Sequence, residues 1–224
     1  MEWHPMTVRI LSSKDDLERA LHEMGEALAD EVKAYLIGGC AMILYNAKVA
    51  TKDIDLVLLS AEEAESVVRA LSKIGFIVVV PKEHVYCRLG TAMMMEDQRG
   101  MRFDIFVETV CRKVKVTSSM AARSKLHSRY GKLRINLVSP EDIFLFKSVT
   151  EREGDLDDMA RLAERGLDWR TILEECAVQG GEVILEGYLA VRLQELEEKK
   201  GIISPIKAEL EEITEKKLGS RRRN

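Results

Sequence analysis

Asp53 and Asp55, a third carboxylate at Asp104, and the Gly38-Gly39 pair carry the chemistry this sequence can do. Thr51-Lys52-Asp53-Ile54-Asp55-Leu56-Val57-Leu58-Leu59 reads as a strand opened by the two acids. Residues two apart on a strand leave the same face, roughly 7 Å apart at Cα. Such a pair is spaced to grip one or two magnesium ions. Arg102-Phe103-Asp104-Ile105-Phe106-Val107 places a single carboxylate inside another apolar strand. A buried aspartate is rare unless it is paired or holds a metal. If the three converge to about 5 Å at an effective dielectric near 20, each pair repels by on the order of 3 kcal/mol. A divalent cation removes that cost. The alternative is three solvated charges near strand ends.

The glycines fit the same chemistry. Ala34-Tyr35-Leu36-Ile37 is an apolar strand that ends in Gly38-Gly39 and runs into a helix through Cys40-Ala41-Met42-Ile43-Leu44-Tyr45. Backbone N–H groups at such a junction, with no Cβ in the way, are placed to cradle phosphate. Gly-Gly alone marks only a turn. Its position between a strand and a helix, ahead of a strand that opens with D-x-D, is what gives it weight.

Taken together, Gly38-Gly39, Asp53-x-Asp55 and Asp104 resemble the signature of the nucleotidyltransferase superfamily with a DNA polymerase β-like palm. Within it the pattern is similar to the small prokaryotic branch that includes abortive-infection and toxin-antitoxin nucleotidyltransferases. The segment Ser139-Pro140-Glu141-Asp142-Ile143-Phe144-Leu145-Phe146-Lys147, followed by Asp155-Leu156-Asp157-Asp158-Met159, resembles that branch's helical module. The likeness covers roughly Tyr35 to Leu167. It implies that Asp53, Asp55 and Asp104 bind Mg2+ or Mn2+, and that Gly38, Gly39 and Lys147 contact the phosphates of a nucleoside triphosphate. The implied activity is transfer of a nucleoside monophosphate to an acceptor hydroxyl, on RNA, a tRNA 3′ end or a protein, with an antitoxin as a possible partner. Many members carry Gly-Ser where this chain has Gly38-Gly39, so one hydroxyl contact to phosphate is missing. Lys147 has a second reading, as a lysine snorkelling at the core edge. Two other functions share the motif: a nucleotide- or RNA-binding regulatory module without catalysis, and a carboxylate-dependent phosphodiester hydrolase.

The elements that must position these residues follow from pattern. Ser12-Ser13 precedes a helix with Leu17, Ala20, Leu21, Met24 and Leu28 on one face. Ile54–Leu59 is apolar on both faces, as a central, doubly covered strand should be. Ser60-Ala61-Glu62-Glu63 is a capping box. Gly75–Val80 is a short strand stopped by Pro81. Met93–Met95 and Met101–Val107 read as two strands joined near Gln98-Arg99-Gly100. A helix over Met120–Ser128 and a strand over Leu133–Val138 complete a mixed α/β sheet with flanking helices. From Ser139 only helices are expected: Ser139 and Pro140 open one, Asp155 and Asp168 cap the next two, and further helices run from Glu182 and from Ser204-Pro205. The division is a palm-like domain over residues 1–138 and a helical domain over 139–224.

Composition bounds the rest. The chain has 224 residues, enough for one domain with an appendage or two small ones. Met1-Glu2-Trp3-His4-Pro5 lacks the basic and apolar regions of a secretory signal, and no apolar stretch is long enough to span a bilayer. Cys40, Cys87, Cys111 and Cys176 are far apart in sequence, with no C-x-x-C, and are expected to be reduced packing residues of a cytoplasmic protein. The formal net charge of −4 argues against general nucleic-acid coating. Its distribution is uneven, for no acid lies between Glu108 and Glu141, where Arg112, Lys113, Lys115, Arg123, Lys125, Arg129, Lys132 and Arg134 accumulate. That stripe is either a polyanion surface or a solvated face. Tyr86 and Arg88 are candidates to stack on a base, with core packing as the simpler role.

Overall fold

Seven strands form one mixed sheet in a computed structural model that describes residues 14–80, 93–150, 152–179 and 185–221. In chain order the elements are α1 (Lys14–Ala27), β1 (Val32–Leu36), α2 (Gly38–Leu44), β2 (Asp53–Leu58), α3 (Ala61–Lys73), β3 (Ile77–Val78), β4 (Met93–Glu96) and β5 (Arg102–Val107). They continue as β6 (Thr109–Val110), β7 (Val114–Lys115), α4 (Ser118–Arg123), β8 (Lys125–Tyr130) and β9 (Leu133–Leu137). Helices α5 (Pro140–Ser148), α6 (Glu153–Glu164), α7 (Trp169–Val178), α8 (Leu185–Lys200) and α9 (Lys207–Arg221) follow. The sheet order is β3-β4-β5-β2-β1-β9-β8, with β6 and β7 paired separately. The chain is thus α/β, and β2 is its central strand, as the two-sided apolar run Ile54–Leu59 requires. Pairs β2–β5 and β1–β9 are parallel and the other neighbours antiparallel.

Helices α1 and α3 lie together on one side of the sheet, burying Leu17, Leu21, Met24, Val67 and Leu71 in the core that also takes Ile54, Leu56 and Leu58. Ser60 Oγ accepts from Glu63 N, as the expected cap requires, while Glu63 Oε2 accepts from Leu59 N, one residue ahead of the cap. Helix α2 packs on β2 and on α5, and α6, α7 and α8 gather round α5. Ser139 Oγ accepts from Asp142 N with Pro140 in the first turn, and Asp168 caps α7.

Two expectations change. The helix expected over Met120–Ser128 stops at Arg123, and Lys125–Tyr130 is instead an edge strand paired with β9. Asp155 does not cap α6, because Arg152 is the cap residue and Asp155 lies inside the helix, buried among cations. The basic segment is also divided. Arg123 is held by Asp142 and Glu175 at 2.5 and 2.6 Å, and Lys113 lies over the Tyr188 ring. Arg129 and Arg134 remain exposed, opposite each other. Cys40, Cys111 and Cys176 are buried. Ser12, Ser13, Pro81, Tyr86, Cys87, Arg88 and Glu182 fall outside the described residues. Among the described residues no helix is long and apolar enough to cross a membrane.

Candidate active site

The register of β2 against β5 decides the site. The two strands run parallel with Asp55 opposite Asp104 and Asp53 opposite Arg102. The twofold side-chain period then puts all four groups on one sheet face, while Ile54, Leu56 and Leu58 take the other. Asp104 is only 1% exposed and lies beneath the surface. Among these acids sits Arg102, whose side chain is 16% exposed. Its Nη2 is 2.5 Å from Asp53 Oδ2 and its Nε 3.0 Å from Asp104 Oδ1. Arg102 was legible in principle, since residue i−2 on a strand shares the face of residue i, but an arginine beside an aspartate on a strand is too common to stand out.

The glycines have a steric reason. Gly38 has φ +62, and a Cβ built on it would lie 2.1 Å from Asp55 Oδ2. A Cβ on Gly39 would lie 2.3 Å from Thr51 Oγ1. The space freed by the glycines is therefore filled by the chain's own carboxylate and hydroxyl. Gly38→Ala combines a left-handed backbone with a clash into Asp55. It is expected to destabilise the protein by about 1–3 kcal/mol in urea denaturation, and to displace the Asp55 carboxylate. A wild-type denaturation midpoint for this variant would contradict the packing.

A cleft of about 440 Å³ opens in front of Asp53 and Asp55, with Gly39 and Thr51 beside them. The same cleft is lined by Lys48, Lys52, Lys147 and Arg152 together with Asp155 and Asp158. Of the residues expected from sequence, Gly39, Asp53, Asp55 and Lys147 line the cleft; Gly38 lies against Asp55, and Asp104 is buried beside it. Lys147 is 6% exposed and already paired, its Nζ 2.5 Å from Asp155 Oδ1 and 2.8 Å from Asp158 Oδ2. Lys48 Nζ donates to both oxygens of Asp158, and Arg152 Nε and Thr150 Oγ1 to Asp155 Oδ2. Burial opposes the Lys147 charge, but Asp155 and Asp158 outweigh it and hold the pKa above the usual lysine range. The same cations overcome burial at Asp155 and pull it down to about 2. Lys48, Lys52, Thr51 and Arg152 were not singled out in the sequence; two lysines in the loop just ahead of the D-x-D strand were the available signal.

On the acid wall burial dominates. It pushes Asp55 up to about 6, with the neighbouring Asp53 charge adding to it. Asp104 is pushed well above the carboxylate range by burial and then by Asp55 and Asp53. Burial also raises Asp53, with Arg102 pulling against it. The sign for stability follows. A carboxylate raised on folding favours the folded state below its ordinary pKa of 3.8, and that contribution is lost as pH rises through about 6. Asp55 keeps some exposure, so its share is at most about 3 kcal/mol. Asp155 acts oppositely, its stabilisation being lost as pH falls from 3.8 through about 2. Urea midpoints at low ionic strength are expected to peak near about pH 4–5 and to fall toward neutrality, and added Mg2+ to lift the neutral-pH values. A midpoint that climbs steadily from pH 5 to 8 without metal would overturn this assignment of charges.

Neither family models nor curated proteins match this chain, so the chemistry has to be read from the cleft itself. Carboxylates and cations line one cleft, with the Asp104 carboxylate buried behind it.

Proposed function

We propose that this chain is a divalent-metal-dependent nucleotidyltransferase that moves a nucleoside monophosphate from a nucleoside triphosphate to an acceptor hydroxyl, on RNA or on a protein. The observation that carries this reading is a single cleft lined by Asp53 and Asp55 together with Lys48, Lys52, Lys147 and Arg152. Among the described residues no three His, Cys, Asp or Glu side chains are gathered into a ready-made metal cage. Magnesium does not require one, since it is usually held by one or two carboxylates, with substrate phosphates and water completing its octahedron. Asp53 and Asp55 suit that role, and Asp104 beside them adds a third acid to a cluster with one guanidinium among them. A bound magnesium or manganese ion would neutralise the phosphate oxygens and the charge that develops in transfer.

The chain's own groups do the rest. Lys48, Lys52, Lys147 and Arg152 orient the β- and γ-phosphates, with Lys48 and Lys147 exchanging Asp155 and Asp158 for phosphate oxygens. Thr51 supplies beside Gly39 the hydroxyl that Gly-Gly lacks. The proton of the acceptor hydroxyl passes to the cleft-facing Asp55, with Asp104 buried behind it, as the acceptor oxygen bonds to the α-phosphorus, and the bond to the β-phosphate bridge breaks to release pyrophosphate. The test supplies Mg2+, α-labelled nucleoside triphosphates and a pool of RNA and protein, and follows label. Transfer that persists in Asp53→Ala and Asp55→Ala would falsify the assignment.

A second reading, a nucleotide-binding regulatory module without turnover, is favoured by one observation: Arg102 already occupies Asp53 and Asp104. It expects magnesium-dependent binding of triphosphate with no label moved to any acceptor.

A further inference from the structure

We propose that Arg102 is a resident counter-ion that a divalent cation must displace, and that it is handed from Asp53 and Asp104 to Glu96 when the metal enters. The proposal rests on the metal reading above and adds a moving part to it.

Register supplies both positions of that part. Arg102 stands directly opposite Asp53 on β2 and two residues before Asp104 on its own strand, so one guanidinium reaches carboxylates of both strands. On the other side, Arg102 stands directly opposite Glu96 of β4, which is half-buried. Directly opposed residues of an antiparallel pair have Cβ atoms about 4.5–5.5 Å apart. An arginine and a glutamate so placed pair with only a side-chain rotation. Three aspartates and one glutamate therefore share one face with Arg102 between them.

Ligand geometry requires the exchange. A guanidinium holds carboxylate oxygens at the 2.5 and 3.0 Å seen here. Magnesium takes the same oxygens at about 2.1 Å and tolerates little distortion. Both cannot occupy the gap between Asp53 and Asp104. One guanidinium against three acids also leaves the cluster short of positive charge, which favours replacement by a doubly charged ion. Asp55 contacts the cleft directly, so the ion arrives at Asp55 and Asp53 and takes over the Asp53 oxygen held by Arg102. Glu96 then receives the displaced charge, which spares a half-buried guanidinium from being left without a carboxylate.

Mn2+ binding without nucleotide, followed by the paramagnetic signal of the free ion, reads this directly. Arg102→Gln is expected to bind Mn2+ roughly tenfold or more tightly than wild type, because the competitor is gone. Glu96→Gln is expected to bind it several-fold more weakly, because the displaced arginine has no receiver. Unchanged or weaker binding by Arg102→Gln overturns the proposal while leaving the metal reading intact if wild type binds. Absence of binding in wild type and both variants overturns the metal reading as well. Should Arg102→Gln not fold alone, circular dichroism with Mn2+ decides: rescue by the ion supports displacement, and a variant still unfolded at concentrations that saturate wild type counts against it.

Discussion

Asp55→Asn should make the metal-free protein more stable and, at the same time, inactive. The side chain is nearly isosteric, and it removes a charge that burial and Asp53 both oppose. At about pH 7.5 the gain is at most about 3 kcal/mol. Transfer of label should fall by roughly a thousandfold or more, because the cleft-facing carboxylate that would hold the ion is gone. The opposition of the two effects is the useful part. A residue that merely packs would lose stability on substitution, whereas a residue kept at a cost to the fold should gain it. Asp53→Asn is the control, since Asp53 is paired with Arg102 and its loss removes an attractive partner along with a repulsive one. Urea denaturation and label transfer on the same preparations check both. An Asp55→Asn protein that is less stable than wild type at neutral pH would show that the acid wall is not under electrostatic strain.

Lys147→Met should be the most destabilising substitution in the cleft. Asp155 and Asp158 are 3% and 1% exposed, and the lysine lies between them. Removing one partner of a buried ion pair costs about 3–5 kcal/mol because the other charge stays behind. Lys48 still serves Asp158, and Arg152 and Thr150 still serve Asp155, so the lower end of that range is expected. The double variant Lys147→Met with Asp155→Asn separates the two roles of the lysine. It removes the stranded charge and should recover much of the stability, yet triphosphate affinity should remain reduced. Recovery of both would mean that Lys147 only ties α5 to α6.

Much of this was legible in the residues themselves. Asp53 and Asp55 share a face because a strand has a period of two, and Ile54–Leu59 announced a central strand because both of its faces are apolar. Ser60, Ser139 and Asp168 capped the helices they precede, since a cap is a contact within a few residues. Asp155 failed the same test. Its side chain is claimed by Lys147 of α5, Thr150 and Arg152, and a buried lysine outbids the exposed amides of a helix start.

Lys125–Tyr130 shows the limit most clearly. As an edge strand it buries little apart from Tyr130, so it carries no alternation for a sequence to display, and its pairing with β9 decides its form. The candidate site has the same history. Local pattern determined which acids lie on strands and which face each pair takes. Only the parallel register of β2 on β5 set Asp104 beside Asp55 and brought Arg102 among them, and only the packing of α5 and α6 brought Lys147 and Arg152 to the same cleft. Register and packing join residues far apart in the chain, and a short-range periodicity holds no information about which distant partner a strand or helix will meet.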